Sequence, residues 1–413
     1  MQSTYKKYDV CVIGAGASGL CAAIAAKRSD PDVSVVMLEE KDRVGQKILA
    51  TGNGRCNLSN SHMDISHYGG EADRYSKIIE NASDEEFFRS LSLIVYEDQD
   101  GRMYPYSNQA ASVLNALLRT ADSLGIDTEC GFRVDGVKKE KGRIIVSADN
   151  GREVFASTVV IAIGTPAGKY KYDMQPLLTT TGDELVAFRP ALVPMYVTQD
   201  VRQMKGARFK ADVCLVKDGM VVAEENGEVQ VGDGYLGGIC IMNLSRFVKE
   251  DSGYELTFDM APGVTDRELD EYIEKIVKEP VKISDVLSGL LPKRVGEELI
   301  RSCCDDPFKR MAESLTHEEK KKISEKLRGW TFSVRSLGPV NLAQISTGGV
   351  CGLDADTLAS PSIDGLFYCG EVVNVDGECG GYNLHWAWTS GSTAGRSAVD
   401  FLHNKRLEIT DEI

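Results

Sequence analysis

A glycine-rich turn between a predicted strand and a predicted helix constrains the fold of this chain more than any other feature. Residues 8–13 form a mostly apolar, β-branched run, and Gly14-Ala-Gly-Ala-Ser-Gly19 follows at once with the pattern GxGxxG. In a strand–turn–helix unit the first glycine permits the tight turn, the second lets a pyrophosphate approach the backbone, and the third lets the helix lie close to the sheet. The helix N-terminus then faces the phosphates. The sequence therefore predicts a Rossmann-type dinucleotide-binding unit.

The residues after this helix strengthen that prediction. A second strand is predicted over residues 33–38, and Glu39 ends it, 20 residues after Gly19. A carboxylate at this position accepts hydrogen bonds from both hydroxyls of an adenosine ribose and repels a 2′-phosphate. Strand, helix, second strand and acid together favour a dinucleotide site over an ordinary glycine-rich turn, and they disfavour NADP at this site.

A second match to GxGxxG, at residues 232–237, lacks that context. Asp233 would oppose a phosphate, and neither an alanine-rich helix nor a later ribose-binding acid follows. We predict a glycine-rich loop here.

Three further segments distinguish FAD from NAD. Residues 42–57 are first cationic and then rich in glycine and amide side chains, which suits an extended ligand that carries two phosphates and a flavin. Residues 158–164 read as a strand that ends in a glycine turn. Residues 365–371 read as another strand, followed by the glycine-rich turn 376–384 and a helix predicted over 386–396. A turn that enters a helix supplies amide donors and the positive end of a dipole.

The chain resembles the BaiN-like, aminoacetone-oxidase-like family of FAD-dependent oxidoreductases. The resemblance is carried by Gly14 to Gly19, by Lys47-Ile-Leu-Ala-Thr-Gly-Asn-Gly-Arg-Cys-Asn57, and by Gly370-Glu371 with Asp376-Gly377 and Gly380-Gly381-Tyr382-Asn383. It implies an α/β fold: a Rossmann-type FAD-binding domain (a GR2-like flavoprotein) with an inserted small β domain and a helical subdomain. It also implies FAD as the cofactor.

The resemblance assigns roles to individual residues. Glu39 would hold the ribose and Val134 would meet the adenine through its backbone. A helix N-terminus near Tyr382 and Asn383 would stabilise the charge that reduced flavin gathers at N1 and the C2 carbonyl. The full set of predicted cofactor-binding residues is Gly14, Gly16, Ala17, Ser18, Gly19, Glu39, Glu40, Gly45, Gln46, Lys47, Thr51, Gly52, Asn53, Gly54, Arg55, Cys56, Asn57, Val134, Ala162, Gly164, Gly370, Glu371, Asp376, Gly381, Tyr382 and Asn383.

Three residues are candidates for catalysis, and each has a structural alternative. His385 adjoins the glycine turn as an acid/base candidate, with packing or capping as the alternative. Tyr382 is a candidate to face the flavin or to donate a proton, with packing in the core as the alternative. Arg55 is a candidate to offset the charge of reduced flavin, with binding of backbone carbonyls as the alternative. For Cys56, a buried thiol is favoured over a redox role, because no second cysteine follows within ten residues.

The middle of the chain predicts inserted domains. Residues 190–258 and 329–345 read as short strands and turns, a small β domain. Residues 259–328 read as a four-helix insert, with capping boxes at Thr265 and Thr316 and helices over 269–277, 284–291 and 295–303. The FAD-binding domain is then discontinuous, over 1–189 and 346–413.

Charge and cysteine content restrict the partners and the compartment. The chain has 62 Asp and Glu against 47 Lys and Arg, a net charge of −15, which disfavours nucleic acid and anionic membranes as partners. Its 11 cysteines show no zinc spacing, so we expect no metal and a cytoplasmic protein with reduced thiols. The uncharged run 10–26 imitates a secretory signal, but it contains the glycine turn, so export is disfavoured.

The function expected from these features is that of an FAD-dependent oxidoreductase that passes a hydride through flavin N5. We favour a reductase of a small or steroid-like conjugated substrate, with NAD(P)H as a transient electron donor that has no second nucleotide-binding unit of its own. One alternative is an aminoacetone-type amine oxidase that uses O2 and releases H2O2. The other is a non-catalytic or RNA-associated flavin-binding module. The oligomeric state is left open.

Overall fold

The computed structural model describes residues 6–80, 84–168, 174–249 and 253–411. The chain divides into two compact units: the first comprises Met1–Arg189 and Ile345–Ile413, and the second comprises Pro190–Gln344. The strands are β1 Lys6–Ile13, β2 Val35–Glu39, β3 Ser59–Asn60, β4 Tyr68–Gly70, β5 Val95–Glu97, β6 Arg102–Pro105, β7 Asp127–Cys130, β8 Val134–Glu140, β9 Arg143–Ala148, β10 Glu153–Ile161, β11 Leu185–Ala191, β12 Met195–Val197, β13 Arg208–Lys217, β14 Met220–Val231, β15 Tyr235–Gly237, β16 Tyr254–Asp259, β17 Trp330–Leu337, β18 Ile345–Val350, β19 Leu366–Tyr368 and β20 Val375–Gly377.

The α-helices follow the same numbering in chain order. They are α1 Ala17–Ser29, α2 Gln46–Ala50, α3 Ser76–Glu80, α4 Asp84–Ser90, α5 Ala110–Ser123, α6 Gln175–Thr181, α7 Ile239–Ser245, α8 Asp266–Ile276, α9 Lys293–Arg301, α10 His317–Arg328 and α11 Tyr382–Asp411. The last helix begins four residues before the start predicted from the sequence, at the glycine turn itself.

The first unit is built on a sheet with the strand order β7-β2-β1-β10-β9-β8, and β19 also pairs with β10. Strands β7, β2, β1, β10 and β19 run parallel, whereas β10, β9 and β8 are joined as antiparallel neighbours. The central parallel strands are apolar along their inner stretches because both faces of such a sheet are covered there. Residues 10–13 of β1, for example, are all buried. The predicted Rossmann-type fold of this unit is confirmed.

Helices α1 and α11 pack closely because each presents small residues to the other. A Cβ atom added at Gly391 would lie 2.3 Å from the carbonyl oxygen of Ser18, and one added at Gly395 would lie 2.1 Å from that of Ala22. Since neither position has room for a methyl group, the two glycines set the distance between the helices. This contact brings the N-terminal turn of α11 to the end of the sheet where α1 begins.

The second unit contains a closed antiparallel barrel with the order β12-β15-β14-β13-β16-β17. Helices α8, α9 and α10 lie in the same unit, and α8 and α10 begin with the predicted capping boxes at Thr265 and Thr316. The four-helix prediction was wrong at residues 284–291. That segment holds a short 3-10 turn, Ile283–Asp285, followed by irregular turns, because Ile283, Val286 and Leu287 are buried by side chains distant in the chain. Residues 235–237 of the predicted glycine-rich loop form β15.

Candidate cofactor site

The turn between β1 and α1 has the geometry that a phosphate-binding loop requires. Gly14 adopts φ +96°, and an added Cβ would lie 2.5 Å from the carbonyl oxygen of Ala162. A Cβ on Gly19 would lie 1.9 Å from the carbonyl oxygen of Gly14, so helix and strand are in direct backbone contact. At Gly16 nothing lies within 4 Å of the Cβ position. The middle glycine thus has an open approach, which suits a pyrophosphate at the N-terminus of α1.

Glu39 lies beside this turn at the end of β2. Its Oε2 accepts a hydrogen bond from the backbone N of Ala15 at 3.0 Å, and its Oε1 accepts one from the backbone N of Lys41 at 3.1 Å. The backbone N of Phe132 donates to the Glu39 carbonyl at 2.8 Å, and β8 begins two residues later, at Val134. The carboxylate is therefore held in place, with further lone pairs for a ribose.

The loop 51–57 is wound in an unusual backbone conformation. Gly52 and Asn53 have φ +55° and +54°, and Gly54 and Cys56 have φ +82° and +60°. Left-handed residues other than glycine carry strain and cluster at ligand sites. At Gly52 the conformation is enforced by the chain itself, because an added Cβ would lie 2.7 Å from the backbone N of Asn57.

A second glycine turn, residues 377–381, leads into α11 beside this loop. Asn383 ties it down: its Oδ1 accepts from the backbone N of Gly377 at 2.8 Å, and its Nδ2 donates to the Gly377 carbonyl at 2.8 Å and to the Glu378 carbonyl at 3.2 Å. Gly381 adopts φ +109°, and a Cβ there would lie 2.3 Å from the carbonyl oxygen of Ser59. The turn and the 51–60 segment therefore touch through their backbones, although they are more than 300 residues apart.

An ion pair joins two more of the predicted segments. Lys47 of α2 donates to Glu371 at 2.6 Å, and the Glu371 carboxylate lies 3.7 Å from the Cβ position of Gly164. An added Cβ on Gly370 would lie 2.4 Å from Ser18 Oγ. The segments after β1, β10 and β19 thus meet at the same end of the sheet.

One buried atom in this region has no hydrogen-bond partner among the described residues. The Oδ1 of Asn57 is fully shielded from solvent and lies 3.0 Å from the Cβ position of Gly381. An unsatisfied buried carbonyl costs about 1–3 kcal/mol unless a ligand supplies a donor. Together with the open approach at Gly16 and the two helix N-termini, this acceptor fits a dinucleotide whose ring carries N–H groups, as a flavin does.

Comparisons with known proteins show the family to which this chain belongs. The family model described as "HI0933-like protein Rossmann domain" matches residues 8–397. The 3-dehydro-bile acid delta(4,6)-reductase of Clostridium scindens is 33% identical over 406 residues, which is 94% of this chain and 98% of that protein. The chain belongs to the HI0933-like family of flavoprotein oxidoreductases. The ribosomal RNA dihydrouridine synthase of Escherichia coli is 23% identical over 418 residues, 95% of this chain and 98% of that protein.

Solved flavoprotein structures share the fold of this HI0933-like chain. The 3-ketosteroid-delta4-(5alpha)-dehydrogenase of Rhodococcus jostii RHA1, solved with 4-androstene-3,17-dione, superposes with a TM-score of 0.51 at 14% identity and covers 97% of this chain and 98% of its own. The FrdA subunit of Escherichia coli quinol fumarate reductase gives 0.51 at 16% identity, over 97% of this chain and 71% of its own.

His385 is buried inside the first unit of this HI0933-like chain. It is 2% exposed, with Nδ1 3.1 Å from Ser59 Oγ and Nε2 2.7 Å from the carbonyl oxygen of Ile79. An acid/base role for His385 stays a prediction, and its burial and engaged ring nitrogens favour the alternative of packing.

Tyr382 is also buried, but it borders accessible groups. It is 5% exposed, its ring stacks on that of His67 at 4.3 Å, and Tyr68 Oη donates to its backbone carbonyl at 2.9 Å. Burial, with the Glu378 carboxylate as the next cause, raises the pKa of Tyr382 to about 12. The phenol is therefore neutral at physiological pH.

Arg55 and Cys56 are adjacent but differ in environment. The Arg55 guanidinium is exposed and lies 4.6 Å from the centre of the Tyr104 ring. Cys56 is 0% exposed, and burial raises the pKa of its thiol to about 11. A thiol in that state is a weak nucleophile, as expected for a packing residue.

Two side chains at the site were not singled out from the sequence. His67 Nδ1 lies 2.9 Å from Glu378 Oε2, beside Tyr382. Glu378 lies inside the glycine turn, but nothing in its sequence neighbourhood indicates a histidine partner, and His67 has no motif around it. The described residues contain no group of three or more His, Cys, Asp and Glu placed to hold a metal ion, and none of their helices is long and apolar enough to span a membrane.

Proposed function

We propose that this chain holds FAD in its first unit and reduces a carbon–carbon double bond conjugated to a carbonyl group in a small or steroid-like substrate, with NAD(P)H as the electron donor. The observation that carries the cofactor assignment is the convergence of the 51–57 loop and the 377–383 turn around the unpartnered Asn57 oxygen. Bound FAD would accept two electrons from the donor and deliver them to the substrate.

The residues of this chain would bind and orient the cofactor. Glu39 would hold the ribose, Gly16 and the N-terminus of α1 would face the pyrophosphate, and Lys47 with Glu371 would line the path to the flavin. The N-terminus of α11 would place its dipole beside the ring, where negative charge develops on reduction. His385 would position Ser59 and the turn beneath the ring rather than transfer a proton itself.

The reaction class is supported by the named relatives. A delta(4,6)-reductase and a dihydrouridine synthase both saturate a carbon–carbon double bond. The reductase is the more similar of these two over nearly the same length, which favours a small-molecule substrate.

Anaerobic spectroscopy of the purified protein tests this proposal. The absorbance of the oxidised flavin should bleach when NADH or NADPH is added. Without oxygen the flavin should stay reduced, and the absorbance should return when 4-androstene-3,17-dione or another enone is added. Bleaching by small amines instead, with H2O2 formed in air, would establish the amine oxidase. If neither NAD(P)H nor small amines bleach the flavin, both the reductase and the amine oxidase are excluded. If only ribosomal RNA reoxidises the reduced flavin, the substrate is a nucleic acid.

A further inference from the structure

The side chains of His67 and Glu378 are joined by a hydrogen bond beside Tyr382, at the glycine turn described above. His67 Nδ1 and Glu378 Oε2 are 2.9 Å apart, and the two side chains are 30% and 23% exposed. The backbone N of Glu378 also donates to the His67 carbonyl at 3.0 Å. Side chain and backbone of the two residues are thus joined, while each side chain keeps access to solvent.

The surrounding backbone holds this pair rigidly. His67 ends the 3-10 turn Ile65–His67, and β4, which follows it, pairs antiparallel with β20, so that Tyr68 lies opposite Gly377. Asn383 binds the carbonyl of Glu378 from the other side at 3.2 Å. Both members of the pair are therefore fixed by the turn that leads into α11.

The His67 ring is also oriented from its face. It stacks on Tyr382 with the ring centres 4.3 Å apart and an angle of 23° between the planes. With Nδ1 occupied by the carboxylate, Nε2 is the nitrogen left for another partner, and the described residues supply none to it. A carboxylate that holds one imidazole nitrogen sets the tautomer and keeps the other nitrogen available for proton transfer.

His385 and His403 do not offer this combination. His385 is buried with both nitrogens engaged. His403 has a comparable partner, Asp30, at 2.8 Å, but it lies 18 positions beyond His385, far along α11 from the glycine turn. His403 therefore serves as a matched histidine–carboxylate pair outside the site.

We infer that His67, oriented by Glu378, is the general acid of this site and delivers a proton from Nε2 to the substrate beside the flavin. The inference rests on the proposed function. Saturation of the conjugated bond breaks its π bond and forms two C–H bonds, one from a hydride equivalent and one from a proton. The hydride and both electrons derive from NAD(P)H, which becomes NAD(P)+, and the proton leaves the imidazolium, which regains one from water. Glu378 is a positioning residue in this scheme.

Charged and titratable groups lie around His67. Glu378 and Tyr382 face it from the α11 turn, and Asp64 lies in its own turn. The positive charge of Arg102 in β6 acts on Tyr382, and hydrogen bonds from Ser66 hold the pKa of Asp64 below its usual range.

Separate measurement of the two half-reactions tests the inference. In His67→Gln we expect reduction by NAD(P)H to stay within about twofold of wild type, while reoxidation by an enone slows by about 10²- to 10⁴-fold. Glu378→Ala, which keeps the imidazole but removes the carboxylate that orients it, should show a smaller loss in the same step. His403→Gln should change neither. Equal slowing of both half-reactions in His67→Gln, or an unchanged reoxidation rate, would overturn the inference.

The midpoint potential of bound FAD gives a readout that needs no substrate. A proton-donating imidazole beside the ring favours the reduced form, so His67→Gln should lower the potential. His403→Gln should match wild type. If NAD(P)H or enones fail to react with wild type while the potential of His67→Gln is still lowered, the proposed reaction fails and the placement of the acid beside the cofactor stands. Identical potentials in His67→Gln and wild type would overturn it.

Discussion

Asn57 and Asn60 are the same residue type three positions apart, yet their amides are in opposite situations. Asn60 donates to the carbonyl of Gly380 at 3.1 Å and accepts from the backbone N of His62 at 2.9 Å. The Asn57 oxygen is buried with no such partner among the described residues. A structural amide satisfies its hydrogen bonds within the protein, whereas a ligand-binding amide leaves one open.

Asn57→Ala should separate binding from stability. We expect it to weaken FAD binding by about 1–3 kcal/mol and to change the unfolding free energy of the FAD-free protein by less than about 1 kcal/mol, because the lost oxygen was unsatisfied. Asn60→Ala should instead lower the unfolding free energy of the FAD-free protein and leave FAD binding nearly unchanged. Fluorescence titration with FAD and denaturant unfolding measure the two quantities. Equal destabilisation of the FAD-free protein by both changes would refute the assignment.

Glu39 supports the site in two ways, and substitution should reveal both. Glu39→Ala removes the proposed acceptor for the ribose and leaves the backbone N of Ala15 without its bond, so we expect FAD affinity to fall by about 1.5–3 kcal/mol. Glu39→Gln keeps one oxygen acceptor and should lose less. Retention of the yellow colour through dialysis, followed by absorbance, provides the measurement. Wild-type affinity in Glu39→Ala would rule out the ribose role.

At the level of secondary-structure elements, the α1–α11 contact decides where the cofactor turn lies. Gly391→Ala and Gly395→Ala would each place a methyl group within 2.3 Å of a backbone carbonyl oxygen. Although alanine is the better helix former by about 1 kcal/mol, we expect a net loss of about 1–3 kcal/mol in unfolding free energy together with weaker FAD retention. Ser392→Ala, on a half-buried face of the same helix, is the control. Higher stability in either glycine variant would show that the helices have room to separate.

The N-terminus of α10 carries a pH-sensitive element in the second unit. Arg310 binds Glu319 at 2.6 Å, and this bond, with those of the capping box, lowers the pKa of Glu319 from 4.5 to about 2. A depressed pKa stabilises the fold above the unfolded value, and the benefit is lost as pH falls through the folded value. We expect a loss of up to about 3 kcal/mol between about pH 5 and pH 2.

Glu319→Gln should remove this acid sensitivity and lower stability at neutral pH. Glu268 belongs to the capping box of α8, and its lowered pKa comes from Thr265 without an arginine. Glu268→Gln should therefore show a weaker effect in the same urea titrations. Identical pH profiles for the two variants would mean that Arg310 contributes nothing to the depression.

For the whole molecule, the division into two units has a direct consequence. Every predicted cofactor-binding residue lies in the first unit, and the chain leaves and re-enters that unit through the paired strands β11 and β18. We expect a protein in which a short Gly–Ser linker replaces residues 190–344 to fold and to retain FAD within about tenfold of the full-length affinity. A folded but colourless product would show that the second unit is required for binding. The three-part domain division from the sequence stays a prediction.

The sequence by itself determined those features that depend on short-range chemistry. The strand–turn–helix around Gly14 and Gly19 follows from backbone freedom that only glycine has, and the capping boxes at Thr265 and Thr316 follow from bonds between residues three apart. The family resemblance added the 51–57 loop.

Only the tertiary structure decided the rest of the site. The pairing of His67 with Glu378 joins residues 311 positions apart, and no local pattern marks either of them. For His385 the sequence left an acid/base role and packing both open, and the packing of α11 buries it. Residues 284–291 show helical spacing and still fold as turns. In each case the outcome depends on which distant side chains pack against the residue, and that information is not local in the chain.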